Sequence, residues 1–314
     1  MRPFVFADAV TENSKFLAGG TTLVDLMKLD VETPKTLIDI NSQPNGLNKI
    51  EASSEGLKFG ALVRMAEAAE NADVLKNYPI IAQSLMLAAS QQIRNMASLG
   101  GNILQRTRCS YFRDVSYTAC NKREPGSGCA AKEGINRAHA VLGTSASCIS
   151  AYPGDFAQAL IALDAEVQTD KRKFKFSELH LSSENPHLET ILKPGEMIHF
   201  ILVPAGNFKR SLYLKIRDRQ SYQFAVTSAA VVIHLDGGTV KDARIALGGV
   251  AYKPWRAKEA EDILKGKVLD EQSAMSAADA AFADAKGFKH NTFKIETGKQ
   301  TLIRALLEVK GLEI

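Results

Sequence analysis

The amino-acid sequence lacks any apolar stretch of the roughly 18 residues that a transmembrane helix requires. Residues 1–8 also lack the apolar core of a secretory signal. We therefore expect no membrane span. We expect the protein in the cytoplasm or, by co-export with a partner that carries a signal, in the periplasm.

Excess charge of one sign is also scarce. The 39 Lys and Arg against 35 Asp and Glu leave a net charge of +4, which is too small for a nucleic-acid footprint unless the charges cluster. The densest basic run, residues 171–175, follows a strand-like stretch and is typical of a solvated hairpin. We therefore expect no nucleic-acid partner.

Several catalytic motifs are missing as well. The six histidines are dispersed, with no H-E-x-x-H and no G-x-S-x-G, and no pair of carboxylates stands out. This pattern disfavours hydrolysis. The chain also has no G-x-G-x-x-G and no G-x-x-x-x-G-K-[ST], so a nucleotide would be held in another way than in a Rossmann or P-loop site.

What is present is an ordinary globular composition of 314 residues, 45% apolar and 24% charged, which is enough for two domains. The Pro-Ala-Gly-Asn stretch at 204–207 is the best linker, so we predict domains at 1–205 and 206–314. In the second domain we predict a hairpin over 224–250 followed by helices at 256–264, 271–285 and 300–309.

The first domain mixes both kinds of element. We predict a strand, a glycine turn and a helix over 15–27, then strands at 36–40, 57–62, 165–169 and 197–203, and helices at 65–77, 79–90 and 153–163. The hydrophobic periodicity that marks helices and strands disappears between residues 105 and 147. Some forty irregular residues in a compact domain would need a cross-link to hold them in place.

Two glycine turns are candidate ligand sites. Residues 18–22 (Ala-Gly-Gly-Thr-Thr) precede a predicted helix, and Ser98 to Asn102 repeat the pattern. Successive backbone N–H groups at such turns suit a phosphate or pyrophosphate, although either could be a simple tight turn. Asp155 could take a ribose or ribityl hydroxyl, or could merely begin a helix.

The four cysteines all lie within 40 residues and are spaced C-x10-C, C-x8-C and C-x18-C. Four thiolates suit zinc or an iron–sulfur cluster, and two disulfides are the competing interpretation. The spacing alone does not identify the group. The nearby Arg106, Arg108, Lys122 and Arg123 could offset thiolate charge or simply solubilise the loop.

Four motifs together resemble a known family. Residues 16–27, 92–102, 214–219 and 246–251 resemble, in this order, the FAD-binding subunit of the molybdenum hydroxylases, the xanthine dehydrogenase and aldehyde oxidoreductase family. The insertion at 105–148 resembles that of bacterial three-subunit aldehyde oxidoreductases of periplasmic type, which carry an additional [4Fe-4S] cluster in this subunit.

The resemblance implies an α+β fold, with a two-lobed FAD-binding domain of the vanillyl-alcohol-oxidase type and a C-terminal α+β domain of the CO dehydrogenase flavoprotein type. It implies that the pyrophosphate and adenine side of FAD contacts Phe16, Leu17, Ala18, Gly19, Gly20, Thr21, Thr22, Leu23, Ser98, Gly101, Asn102 and Leu104. Asp155 would bind a flavin-side hydroxyl and Lys215 would lie near the isoalloxazine. Gly154 replaces a serine common in the family, so one hydroxyl contact would be missing.

The resemblance further implies that Cys109, Cys120, Cys129 and Cys148 bind the [4Fe-4S] cluster. The implied partners are a large subunit with a molybdenum cofactor, a small subunit with [2Fe-2S] clusters and an external electron acceptor. The chain would be an oxidoreductase subunit that relays electrons and has no catalytic residue of its own. A flavin subunit like that of xanthine dehydrogenase or hydroxybenzoyl-CoA reductase, and a zinc-stapled module that joins subunits, are the alternatives.

Overall fold

A computed structural model describes residues 5–6, 10–11, 13–42 and 46–312. The strands among them are β1 (Val5–Phe6), β2 (Ser14–Leu17), β3 (Thr36–Asp39), β4 (Ile50–Ser53), β5 (Gly56–Gly60), β6 (Glu166–Thr169), β7 (Lys173–Lys175), β8 (Ile198–Pro204), β9 (Ser211–Ile216), β10 (Thr227–Asp236), β11 (Thr239–Gly248) and β12 (Trp255–Arg256).

The helices in the same residues are α1 (Leu23–Lys28), α2 (Met65–Glu70), α3 (Ala72–Asn77), α4 (Pro79–Met86), α5 (Gln91–Met96), α6 (Leu99–Ile103), α7 (Ser110–Arg113), α8 (Phe156–Ala162), α9 (Phe176–Leu179), α10 (Lys258–Leu264), α11 (Glu271–Ala281) and α12 (Phe293–Lys310). None of these helices is long and apolar enough to cross a membrane.

The first lobe is a small parallel sheet in the order β1-β3-β2. Strand β2 pairs with β3 from Ser14 opposite Thr36 to Leu17 opposite Asp39. The chain leaves the carboxyl end of β2 and turns through residues 18–22 into α1. The first glycine turn therefore lies at the edge of this sheet.

The second lobe is an antiparallel sheet in the order β4-β5-β8-β6-β7. Its apolar core includes Phe59, Ile80, Phe156 and Val167, all fully or almost fully buried. The Phe59 and Phe156 rings meet edge to face at 6.4 Å, an arrangement that aromatic quadrupoles favour. This core fixes α8, and with it Asp155, against the sheet.

The C-terminal domain is an antiparallel sheet in the order β12-β11-β10-β9. Successive residues of β10 belong to two different hydrophobic cores. Val231 packs under the C-terminal helices, and Val232 packs against the first domain. Side chains of a strand alternate between faces, so both faces of this strand are buried. The predicted α+β class and the predicted hairpin are confirmed.

Several predicted elements differ from the structure. The predicted helix at 65–77 is two helices, because Asn71 adopts an extended backbone and its side chain caps α3 by accepting from Asp73 and Val74. The predicted helix at 79–90 ends at Met86, and the last helix begins at Phe293 instead of 300. Strand β9 was not predicted as an element.

Candidate functional site

A cleft of about 620 Å³ lies between the two lobes and the C-terminal domain. The first lobe contributes residues at the start of α1, and a C-terminal-domain loop after β9 closes the far side. Its walls include Thr21, Thr22, Asp25, Met65, Asn102, Gln105, Arg108, Arg113, Asp155, Arg219, Tyr222 and Phe224. Of the predicted flavin residues, Thr21, Thr22, Asn102 and Asp155 therefore share one cleft.

The first glycine turn packs directly on the backbone at the end of α5. A Cβ on Gly19 would lie 1.9 Å from the Met96 carbonyl oxygen, and Gly20 has a φ of +71°. Only glycine avoids a steric conflict at the first position, and the second requires a left-handed conformation that glycine adopts freely. The first turn is thus in close backbone contact with the end of α5, directly before the second turn.

Two polar side chains that sequence reasoning missed link the first turn to the end of α5. Asn41 donates to the Ala18 carbonyl oxygen at 3.0 Å, and Arg64 donates to Asn41 Oδ1 at 3.0 Å and to the Met96 carbonyl oxygen at 2.7 Å. Neither lies in a motif, and they are 23 residues apart. No local sequence signal could have paired them.

The second turn begins α6. Ser98 caps this helix by accepting from the Gly101 N–H at 3.2 Å. Asn102 follows, and its buried Oδ1 has no hydrogen-bond partner among the described residues. Because an unpaired buried carbonyl oxygen is unfavourable, this atom on the cleft wall fits a ligand that donates to it. The cleft therefore suits the predicted cofactor.

The remaining predicted flavin residues lie around the turns. Phe16 and Leu17 end β2, and Leu23 begins α1. Phe16 and Ala18 also pack against a small apolar core. Leu104 lines a separate cavity of about 40 Å³ instead of the cleft.

Asp155 and Lys215 form a buried ion pair. Lys215 Nζ lies 2.7 Å from Asp155 Oδ2, and the Tyr213 hydroxyl donates to Oδ1 at 2.6 Å. Burial raises the pKa of Asp155, and Lys215 and Tyr213 oppose that rise. The Asp155 side chain does not cap α8. Asp155 lines the cleft, whereas Lys215 lies behind it and is not among the lining residues.

The four cysteines converge. Cys109, Cys120, Cys129 and Cys148 line one small cavity of about 10 Å³, and all four are free thiols. The alternative of two disulfides is therefore wrong for this structure. Among the described residues no group of three or more His, Cys, Asp or Glu side chains could hold a metal ion. As a donor set, however, four thiols around one cavity fit an iron–sulfur cluster, in which each thiolate binds a different iron.

The thiols differ in their surroundings. Burial raises the pKa of Cys109 to about 11. The interaction with Cys129 and the Lys122 ammonium lower the pKa of Cys148, whereas that of Cys129 is raised. Cys148 is therefore the thiol of this pair that ionises first.

One histidine that the sequence gave no reason to choose lies at this centre. His139 Nε2 is 3.1 Å from Cys109 Sγ. Burial and the nearby Lys294 lower the pKa of His139 to about 4. The only local hint is that His139 lies inside the insertion, between Cys129 and Cys148.

The basic residues near the cysteines are not loop solubilisers. Lys122, with 3% of its side chain exposed, pairs with Glu189 at 2.7 Å and bonds the Tyr252 hydroxyl at 2.9 Å. Arg106 bridges Glu189 and Glu32, Arg108 pairs with Asp25, and Arg123 donates to backbone carbonyls within the insertion. These contacts hold residues 105–147 against both domains.

Comparisons with known proteins support this architecture. The FAD binding domain in molybdopterin dehydrogenase matches residues 5–206, and the CO dehydrogenase flavoprotein C-terminal domain matches residues 212–309. The chain is 45% identical over 305 residues to the aldehyde oxidoreductase FAD-binding subunit PaoB of Escherichia coli K12, covering 95% of this chain and 92% of that one. It is 27% identical to the glyceraldehyde dehydrogenase medium chain of Sulfolobus acidocaldarius, covering 83% and 76%.

Solved structures share the fold. Carbon monoxide dehydrogenase from Hydrogenophaga pseudoflava has a TM-score of 0.75 at 24% identity, covering 98% of this chain and 96% of that chain. Quinoline 2-oxidoreductase from Pseudomonas putida 86 has a TM-score of 0.73 at 22% identity, with the same coverage. With both family models matched in order, the chain belongs to the FAD-binding flavoprotein subunits of the molybdopterin dehydrogenases, a family of oxidoreductases.

Proposed function

We propose that this chain is the FAD-binding electron-transfer subunit of a molybdenum-containing aldehyde oxidoreductase. The aldehyde assignment is supported by the 45% identity to an aldehyde oxidoreductase FAD-binding subunit over nearly the full length of both chains. The domains are 1–205, with the insertion at 105–148, and 206–314. Partners are a large subunit with the molybdenum cofactor, a small subunit with [2Fe-2S] clusters, and an external acceptor.

The observation that carries the proposal is the cleft that residues of both glycine turns line. The turns at 18–22 and 98–102 would hold the pyrophosphate and adenine side of FAD, and the unpartnered Asn102 Oδ1 lies on the same wall. FAD supplies the ability to take up electrons singly and to release them in pairs.

Asp155 would accept from a flavin-side hydroxyl. Its two oxygens already accept from Tyr213 and Lys215, and a carboxylate has lone pairs for a further donor. Burial raises the pKa of Asp155, and the Lys215 ammonium opposes this rise because it offsets part of the cost of burying the carboxylate charge. The pair thus provides a fixed acceptor on the cleft wall.

The four cysteine thiolates would hold a [4Fe-4S] cluster. Support comes from their convergence on one cavity and from the absence of a disulfide among them. A cluster supplies one-electron exchange and favours thiolate ligands. We assign no catalytic residue to this chain, since substrate oxidation belongs to the large subunit.

Cofactor analysis and rapid kinetics test the proposal. The purified complex should hold FAD, with about four iron and four sulfide per chain beyond the partner clusters. Zinc at one equivalent without sulfide would contradict the cluster and favour the subunit-joining module. The chain alone should oxidise no aldehyde, and its flavin should be reduced by an aldehyde only within the complex. Reduction by a purine or an aromatic thioester instead would overturn the aldehyde assignment.

A further inference from the structure

His139 is a buried side chain beside the cysteine centre to which the proposed function gives no role. His139 is 4% exposed, and its Nε2 lies 3.1 Å from Cys109 Sγ. We propose that His139 donates a hydrogen bond from Nε2 to the Cys109 sulfur and thereby raises the reduction potential of the cluster that this sulfur binds. This inference rests on the proposed [4Fe-4S] cluster.

The direction of the hydrogen bond follows from the donors available. A thiolate that binds iron carries no proton, so the bond requires a proton on Nε2. His139 Nδ1 is buried and has no partner among the described residues. A proton on Nδ1 would leave a buried N–H unpaired and the sulfur without its donor, so the tautomer with the proton on Nε2 is favoured.

The backbone of His139 is held from three sides. Its N–H donates to the Asn136 carbonyl oxygen at 2.9 Å. Its own carbonyl oxygen accepts from Lys294 Nζ at 3.1 Å and from Asn291 Nδ2 at 3.3 Å. Lys294 lies on α12 and also donates to the Gly249 carbonyl oxygen at 2.6 Å. The C-terminal domain therefore fixes the position of the ring relative to Cys109.

Cys109 is also the cysteine that lies towards the proposed flavin cleft. It lines a cavity of about 210 Å³ together with His139 and Lys294. This cavity shares Arg108 and Phe224 with the large cleft. A donor at Cys109 therefore acts on the sulfur that lies towards the proposed flavin.

The expected effect on potential is electrostatic. Reduction adds negative charge to the cluster and its sulfur ligands, and an N–H dipole aimed at one sulfur stabilises that charge. His139 is thus a positioning residue that acts through Cys109. Removing the donor should shift the reduced-to-oxidised ratio at a given potential by about tenfold, which is 59 mV for one electron.

Redox titration of the purified complex, followed by electron paramagnetic resonance at one fixed pH, tests this. We expect His139→Leu to lower the midpoint potential of the cluster by about 59 mV, the equivalent of a tenfold change in the reduced-to-oxidised ratio. His139→Gln, whose amide can donate a hydrogen bond to the sulfur, should keep most of the wild-type potential. His180→Leu is the matched control, because His180 is also buried but bonds the Ile103 carbonyl oxygen at 3.0 Å instead of a cysteine.

Iron and sulfide content is measured first. Absence of a cluster from the wild-type complex would overturn the proposed [4Fe-4S] cluster, and with it this inference. A cluster whose potential is unchanged in His139→Leu, or shifted equally in His180→Leu, would overturn only the present inference.

A second measurement does not depend on a variant that folds. Pulsed spectroscopy of the wild-type complex labelled with ¹⁵N-histidine should show a weak nitrogen coupling to this cluster. No coupling would overturn the inference, and so would one strong enough for direct coordination by the ring.

Discussion

The ammonium of Lys215 lies 2.7 Å from the carboxylate of Asp155, and both side chains are almost completely buried. The pair joins strand β9 of the C-terminal domain to the residue that precedes α8 in the first domain. The family resemblance implies a separate flavin contact for each residue. In the structure the two side chains form one buried ion pair.

We predict that Asp155→Asn destabilises the full chain by about 3–5 kcal/mol, because it leaves the Lys215 ammonium buried without a carboxylate. The double variant Asp155→Asn with Lys215→Met should lose less than the sum of the two single changes, since neither unpaired charge remains. Urea unfolding of the cofactor-free chain measures both. Additive losses would show that the two residues are not coupled.

The exposed pair of Lys241 and Asp236 is the control. Its atoms are 3.1 Å apart, but 62% and 71% of the two side chains are exposed. Solvent screens such a pair, so Asp236→Asn should change stability by less than about 1 kcal/mol. A loss as large as that of Asp155→Asn would mean that burial is not what makes the latter costly.

A second prediction concerns the ion pair of Lys122 and Glu189, which connects the cysteine-bearing insertion to the rest of the first domain. Glu189→Gln should cost about 3–5 kcal/mol, because Lys122 is buried and would lose its carboxylate partner. Lys122→Met should cost less, because Glu189 keeps Arg106. Urea unfolding of the two variants gives the comparison. The reverse order would show that Arg106 does not compensate Glu189.

The elements predicted well from the sequence are those set by local signals. The hairpin around Asp236-Gly237-Gly238 has long, largely apolar strands and a glycine turn, and β10 and β11 pair across it. The helix that follows Pro153-Gly154-Asp155 was also predicted, because proline and glycine mark its start. In such places the sequence within about ten residues decides the conformation.

The site depends on long-range contacts, which local patterns do not encode. Arg64 and Met96 are 32 residues apart, and Cys109 and His139 are 30 apart. Clustering of the cysteines in sequence did indicate one centre, and they do share a cavity. Which residues surround that centre follows only from how the insertion folds back on both domains.

A third prediction tests the contact between the first glycine turn and the end of α5. Gly19→Ala would place a methyl group 1.9 Å from the Met96 carbonyl oxygen, so the turn and the end of α5 must move apart. We expect FAD to bind at least about tenfold more weakly, measured by flavin titration of the full chain. Gly311→Ala is the control, because its nearest atoms are 3.6 Å away. An unchanged affinity of Gly19→Ala for FAD would show that this turn is not part of the FAD site.

The last prediction is a pH dependence that comes from Glu196. Its carboxylate accepts from Arg172 Nε at 2.9 Å, from Thr169 Oγ1 at 2.9 Å and from the Lys193 N–H at 2.9 Å. These donors, the Arg172 hydrogen bond above all, lower its pKa from the ordinary 4.5 to about 2.

The folded state of Glu196 thus binds a proton less readily than the unfolded state. Its contribution is therefore fully present above pH 4.5 and is lost as the pH falls from 4.5 towards 2. Glu196→Gln should reduce stability at pH 7 by about 1–3 kcal/mol, and should flatten the decline of stability below pH 4.5. Unfolding midpoints of the full chain across this range give the measurement. The exposed Glu259→Gln is the control and should keep the wild-type slope. A decline in Glu196→Gln as steep as in wild type would show that other carboxylates cause the acid sensitivity.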